Sequence, residues 1–265
     1  MRSTLSVAII TLNEEANLAR TLASVQFADE IILVDSGSTD GTVEIAESFH
    51  AKVSIEPWKG FAAQKNSAID KCSSTWVLSI DADEELTPEL QTELRQLLQS
   101  ESTKPSAVEA YRIPRRNLFL HRVIRYGGYY PDAKLRLFRR SNPTLPSPIR
   151  FSERAVHETI QCTGPIGLLH ADLIHHAYPT LETYIEHMDR YSTLGAQLLV
   201  SRGRISRGWL AFCSNVVIIP AMTFLWNYVF RLGFLDGREG LLLHLYHSAY
   251  VSWKYAKAWS LARRR

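Results

Sequence analysis

The stretch TWVLSIDADEEL, residues 75–86, runs a mostly apolar segment directly into Asp81, Ala82, Asp83, Glu84 and Glu85. Four carboxylates in five positions repel one another at neutral pH, so they must be either solvated or neutralised. Asp81 and Asp83 stand at i and i+2 on a chain leaving that apolar run, so both can reach the same side, one directly and one through water. Hard divalent cations such as Mg2+ and Mn2+ favour such oxygen ligands and keep coordination positions open for phosphate oxygens. The pattern points to a cation bridging a diphosphate. The alternative is an acidic cap on the helix that opens near Pro88, but both aspartates stand several residues ahead of its first turn.

Such a site needs a scaffold, and the flanking patterns describe one. Residues 5–11, 31–34 and 76–80 are short apolar runs, the signature of strands buried on both faces, and residues 52–55 add another short strand. Between them lie segments of helical spacing: Leu18, Leu22 and Val25; Val43, Ile45, Ala46 and Phe49; Phe61, Ala68, Ile69 and Cys72. Alternation of this kind predicts a mostly parallel α/β sheet with helices on its faces. Thr87 as N-cap and Pro88 at the first helical position open a further helix to about Leu98, and the polar residues 99–107 end the first half. The next hundred residues read as short strands (110–113, 135–138, 155–160) among Gly, Pro and Tyr loops, then a helix over 181–200.

In an open parallel sheet, ligands bind beyond the carboxyl ends of the strands. Three acidic clusters fall there: Thr11 to Glu15, Asp35 to Gly37, and Asp81 to Asp83. The first would equally cap a helix, and DSGSTDGT (35–42) would equally make a solvated turn. No G-x-G-x-x-G follows the first strand and no P-loop is present. STDGT (38–42) has Ser38 where an aspartate-nucleophile phosphatase carries its nucleophile, which argues against that chemistry.

The 265 residues, 46% hydrophobic and 22% charged, suit one large domain with an appendage. Cys72, Cys162 and Cys213 fit no metal spacing and imply no disulfide framework, so a reducing, cytoplasmic setting is expected. The first residues lack a signal-peptide core, so the chain is not expected to be secreted. The net charge of +3 conceals an asymmetry: from Arg202 onward ten Lys and Arg stand against Asp236 and Glu239, a balance of +8, which leaves the preceding body at −5.

Taken in order, AIITLNEE, ILVDSGSTDGT, GFAAQKNSAI and LSIDADEEL closely resemble the family 2 glycosyltransferases, over about residues 4–200. Further motifs, GGYYPDAKLRLFRR (127–140), AVHETI (155–160), HHAYPTLETY (175–184) and GFLDGREG (233–240), resemble the lipopolysaccharide-core β-1,4-glucosyltransferase branch. The resemblance implies a GT-A (Rossmann-like) domain over 1–200, with a nucleotide-sugar half (1–100) and an acceptor half (101–200). It implies that Thr11, Glu14 and Asp35 hold the base and ribose of a UDP-sugar, and that Lys65 approaches its phosphates or ribose. Asp81 and Asp83 match the family's D-x-D and would bind Mg2+ or Mn2+ with the diphosphate. Many members carry two aspartates at the second motif, whereas Ser36 follows Asp35 here.

Family members invert the anomeric centre by one displacement, which needs an acceptor-side base. Glu158 and Asp132 are the candidates, Glu158 being favoured by its setting in RAVHETI. Arg136 or Arg139 would stabilise the leaving diphosphate or else pair structurally; His175 would complete the metal shell or else pack in the fold. The rival readings are a nucleotidyl- or sugar-phosphate transferase, and a non-catalytic membrane adaptor.

No residue from Gly208 to Phe230 is charged, arginines flank both ends, and Trp209, Trp226, Trp253 and Trp259 place four of the six tryptophans in this tail. The 201–265 segment is therefore expected to form helices that associate with an anionic membrane at the cytoplasmic face, by spanning it, re-entering it or lying in the interface. A pair of core helices under the catalytic body would explain the same pattern. No nucleic-acid-binding motif accompanies the basic residues. A membrane-bound transferase would act on a lipid-linked saccharide such as lipopolysaccharide core.

Overall fold

In the computed structural model, which describes residues 3–104, 106–140, 149–152 and 159–263, the apolar runs of the first half become strands. These are β1 (Leu5–Thr11), β2 (Glu30–Asp35), β3 (Lys52–Ile55) and β4 (Trp76–Ser79). Helices α1 (Glu15–Val25), α2 (Thr42–Ser48) and α3 (Phe61–Lys71) connect them, and α4 (Pro88–Thr103) follows. The expected start of α4 is present: Thr87 Oγ1 accepts from the Leu90 N–H at 3.2 Å, with Pro88 in the first turn. Its end is not at Leu98. The polar residues continue the helix to Thr103 because Ser100, Ser102 and Thr103 fold their hydroxyls back onto carbonyls three residues earlier, at 2.8–2.9 Å.

The later strands are β5 (Glu84–Leu86), β6 (Ala110–Ile113), β7 (Arg115–Phe119), β8 (Arg122–Ile124) and β9 (Lys134–Arg139). They are followed by β10 (Arg150–Ser152), β11 (Thr159–Gln161), β12 (Ile166–Leu168), β13 (Leu173–Tyr178) and the helix α5 (Leu181–Ser201). Of the strand expected over 155–160, residues 155–158 lie outside the described residues, and the remainder begins β11.

The chain forms two compact units, one of Met1–Arg115 with Asp132–His176, the other of Arg116–Pro131 with Ala177–Arg265. Helix α5, ahead of the division at residue 200 suggested by charge, shares an apolar core with the C-terminal helix Gly237–Arg263.

The first unit holds a seven-stranded sheet in the order β12-β6-β9-β4-β1-β2-β3. Its ladders are parallel except the two made by β9, against β4 and β6. The period of two along each strand divides the core. Val7, Ile9, Leu33 and Leu78 meet Leu18 and Leu22 of α1 and Leu90, Leu94 and Leu98 of α4 on one face. Ala8, Ile32, Val34 and Val77 meet Ala68, Ile69 and Cys72 of α3 on the other. Burial on both faces explains why these strands read as unbroken apolar runs. Thr11 pairs with Asp35 in the β1–β2 register, and β4 reaches the same edge, so the three acidic clusters emerge side by side.

The second unit is built on the β7–β8 hairpin, where Leu118 pairs with Val123, and on α5 and the C-terminal helix. Phe119, Ile124, Tyr184, Met188 and Leu243 form its core. Trp209–Phe230 is one unbroken helix, with π-helical turns at Ser214–Ile218 and Trp226–Phe230, rather than a re-entrant hairpin. Pro220 breaks nothing. The Val216 carbonyl that a residue with an N–H at 220 would occupy accepts instead from Ser252 Oγ at 2.8 Å, and the Pro220 carbonyl accepts from Ser248 Oγ at 2.9 Å.

Candidate functional site

The edge of β1 and β2 is organised by one carboxylate. Asp35, 0% exposed, accepts from Thr11 Oγ1 at 2.9 Å, from the Gly37 and Ser38 N–H groups at 2.8 and 2.7 Å, and from Ser38 Oγ at 2.5 Å. Burial alone would raise its pKa, but these donors bring it below the usual carboxylate value. The hydroxyl of Ser38 also accepts from the Asn13 N–H at 2.8 Å, while Asn13 Oδ1 accepts from the Thr39 N–H at 2.9 Å. Thr11 and Asp35 thus lie together at the expected edge, and the Gly37 and Ser38 donors tie the Asp35 carboxylate to the start of the loop that follows β2.

Glu14, the next residue of this edge, accepts from Asn17 Nδ2 at 3.0 Å. Burial raises its pKa, and the negative fields of Asp83 and Asp81 add to the rise, so the acidic clusters meet electrostatically as well as by topology.

The carboxylates that follow β4 are neutralised one by one. Asp81 receives Lys65 Nζ on Oδ1 at 2.8 Å and Arg136 Nη2 on Oδ2 at 2.6 Å. Glu84 lies under it, its side chain 0% exposed. Its Oε1 accepts from Arg136 at 2.5 Å and from Arg115 at 3.0 Å, and its Oε2 accepts from the Asp81 N–H at 3.0 Å. Arg115 continues to Asp132 at 2.6 Å, and Asp132 to Lys134 at 2.8 Å. The result is a line of alternating charge, Lys65, Asp81, Arg136, Glu84, Arg115, Asp132, Lys134, with one cation in surplus. Asp83 faces His175 Nε2 at 3.3 Å, and Glu85 faces His176 Nε2 at 3.0 Å and Arg20 at 3.6 Å. The two histidines arrive because β13 pairs antiparallel with β5, His175 opposite Glu84.

Burial would raise the Asp81 pKa, yet Arg136 and Lys65 hold it well below the usual range. Asp83 is likewise lowered, His175 outweighing burial and the repulsion from Asp81. For Asp132, burial is outweighed by Arg115 and Lys134, and its pKa falls to about 2.

Several expectations change on this geometry. Arg139 is not at the site: it pairs with the position of Trp76, at the other end of β4. Its guanidinium bonds Glu101 and lies 4.6 Å from the Trp76 ring centroid, so its role is structural. Glu84, one of the four carboxylates that had to be solvated or neutralised, is the buried centre of the charge line. Asp132 is held between two cations, which leaves it little affinity for a proton. Glu158 lies outside the described residues. Glu84 and Arg115 were missed because their meeting with Arg136 depends on β9 running antiparallel beside β4, which no local spacing announces.

A divalent cation fits this edge in part. Among the described residues no group of three or more His, Cys, Asp and Glu side chains is close enough to hold an ion unaided. Asp83 Oδ2 and His175 Nε2, 3.3 Å apart, have about the spacing of neighbouring ligands in an octahedral shell with bonds near 2.1 Å, roughly 3 Å. Asp81, its side chain 30% exposed, stands beside them, and the remaining positions call for oxygens from a ligand such as a diphosphate.

The sequence profile of glycosyl transferase family 2 matches residues 6–161. The chain is 34% identical over 244 residues to the lipopolysaccharide core biosynthesis glycosyltransferase LpsC of Rhizobium meliloti, covering 88% of this chain and 82% of that protein. It is 35% identical over 214 residues to an uncharacterized glycosyltransferase of Rickettsia typhi, covering 76% and 69%. Among solved structures, a mannosyltransferase from Pyrobaculum calidifontis, in complex with GDP-Man and Mn2+, matches 97% of this chain and 87% of its own at a TM-score of 0.54 and 14% identity, a likeness of fold.

Proposed function

The chain belongs to glycosyl transferase family 2, and from that premise we propose that it transfers a hexose, glucose, from a UDP-sugar to a lipid-linked saccharide such as lipopolysaccharide core, with inversion. It is a glycosyltransferase with the GT-A fold. The observation that carries the finer reading is the pair Asp81 and Asp83 at the carboxyl edge of β4, backed by Lys65 and Arg136 at 2.8 and 2.6 Å from Asp81.

In this reading Thr11, Glu14 and the loop shaped by Asp35 receive the nucleoside. Lys65 and Arg136 exchange part of their pairing with Asp81 for the diphosphate, so that positive charge already in position stabilises the leaving group without reorganisation. Mg2+ or Mn2+ held by Asp81, Asp83 and His175 would add Lewis-acid stabilisation of the same charge. Glu158 is the proton acceptor for the acceptor hydroxyl. Asp132 orients Arg115, because a base whose pKa lies near 2 takes up a proton poorly at neutral pH.

The second unit supports the acceptor and the location in this reading. Trp209–Phe230 is long and apolar enough to cross a membrane and almost none of it is buried, while ten cations lie in the tail around it. We assign it to an anionic membrane surface on the cytoplasmic side, where a glycolipid acceptor is presented. LpsC supports that acceptor class by its name.

The deciding experiment incubates the full-length protein with Mg2+ or Mn2+, a panel of nucleotide sugars and a truncated lipopolysaccharide core. Glycosylated core with release of UDP is expected, from UDP-glucose above the other donors. Release of pyrophosphate would favour a nucleotidyl transferase instead, and indifference to every UDP-sugar would overturn the donor assignment.

A further inference from the structure

The segment 116–131 carries Arg116, Arg122 and Arg125 and neither Asp nor Glu. Arg122 reaches Glu239 at 3.4 Å. Arg116 and Arg125, with Val123 and Tyr130, line an open pocket of about 200 Å³. That is smaller than the roughly 300 Å³ at which a pocket takes a whole drug-sized ligand, so it suits a head group. The exposed Arg125 guanidinium has no hydrogen bond or ion pair among the described residues. Beside the pocket, the Arg231 guanidinium covers Gly128 so closely that a Cβ there would lie 2.3 Å from Nη1.

The rim of the pocket is fixed to an apolar surface. The Gly127 N–H donates to the Arg231 carbonyl at 2.9 Å, and the Arg125 and Tyr126 N–H groups donate to the Asp236 carboxylate at 3.1 and 2.8 Å. On the segment so attached, Phe230 is 64% exposed, and Leu232, Phe234 and Leu235 are 45–47% exposed. Arginine forks match phosphate oxygens, and a phenol adds a donor. A free anion gains nothing from exposed Phe and Leu, whereas the hydrocarbon of a lipid does.

We propose that the Arg116, Arg125 and Tyr130 pocket binds the phosphate monoester of a membrane-borne lipid, whose hydrocarbon rests on Phe230, Leu232, Phe234 and Leu235. The proposal deepens the membrane reading given above and rests on it. It makes the contact with lipid specific for phosphate instead of a diffuse attraction of the basic tail.

Calorimetric titration of the full-length protein with soluble short-chain phosphatidic acid tests it, alongside phosphatidylcholine of the same chain length and inorganic phosphate. Phosphatidic acid is expected to bind, and the other two to bind at least tenfold more weakly. Arg125→Ala should weaken phosphatidic acid binding about tenfold, the scale of one charge-assisted hydrogen bond. Arg125→Lys should recover part of it by keeping the charge, and Arg202→Ala, which removes a cation outside the pocket, should leave binding unchanged. Thermal midpoints equal to that of the unsubstituted protein establish that the variants fold. Inorganic phosphate binding as tightly as the lipid overturns the proposal, as does an equal loss in Arg125→Ala and Arg202→Ala, or no loss in Arg125→Ala. Because the lipid is soluble, this outcome is separate from the membrane reading, which fails instead if the unsubstituted protein does not float with anionic vesicles.

Discussion

Asp81, Asp83, Glu84 and Glu85 are neighbours in sequence with four different environments, and those environments divide their roles. Glu84 is fully buried between Arg136 and Arg115, so it acts through them. Removing one member of a buried ion pair leaves uncompensated charge and costs about 3–5 kcal/mol. Glu84→Gln, which keeps the shape and loses the charge, is expected to destabilise the protein by roughly 3 kcal/mol in denaturant unfolding. Asp83, a quarter exposed, pairs among the described residues with His175 at 3.3 Å and has little to hold in place. Asp83→Asn should therefore keep its unfolding midpoint within about 0.5 kcal/mol while lowering UDP release by about a hundredfold or more. If both substitutions altered stability and turnover in step, the division between a supporting and a reacting carboxylate would be wrong.

Among the elements, the site depends on β1, β2 and β4 ending level, and the opposite edge of the sheet keeps them so. Glu30, at the start of β2, accepts from Ser6 Oγ of β1 at 2.5 Å, from the Ser73 N–H and hydroxyl ahead of β4, and from Lys52 of β3 at 3.0 Å. Burial alone would raise its pKa, but these donors lower it to about 2 from 4.5. A depressed folded-state pKa means stability that is present above the unfolded value and lost as pH falls through the folded one. Thermal stability is expected to decline between about pH 4.5 and pH 2, with Glu30 contributing roughly 2 kcal/mol of the change. Glu30→Gln should be less stable at pH 7 and show a flatter acid limb in calorimetric melts from pH 7 to pH 2. An unchanged limb would remove Glu30 from the account.

For the whole molecule, the exposed helix Trp209–Phe230 sets the solution behaviour. Burying one large side chain is worth about 1.5–3 kcal/mol, so moving two of them out of a lipid surface should be felt strongly. Trp226→Glu with Phe230→Glu is expected to shift the protein from vesicle-bound to free by more than about tenfold in flotation assays. UDP release on a detergent-dispersed acceptor should remain within a few fold. Equal partitioning of the double variant would show that Trp209–Phe230 is covered by protein.

The sequence by itself determined the alternation of strand and helix, the burial of the first strands on both faces and the edge where the acids gather. These are written in short unbroken apolar runs, in the helical period of 3.6 and in the residues that end each run. It also marked Asp81, Asp83, Lys65, Arg136 and His175, and the order of the motifs named the family. Only the tertiary structure decided what neutralises the four carboxylates, because Lys65, Arg115, Arg136, His175 and His176 reach them from distant elements. It moved Arg139 to the far end of β4, since side chains three residues apart on one strand lie about 10 Å apart along it. It also tied Asp35 to Gly37 and Ser38 of the loop that follows it and joined α5 to the C-terminal helix. Each of these depends on which strand lies beside which and in what direction, and a local pattern carries no record of its distant neighbour.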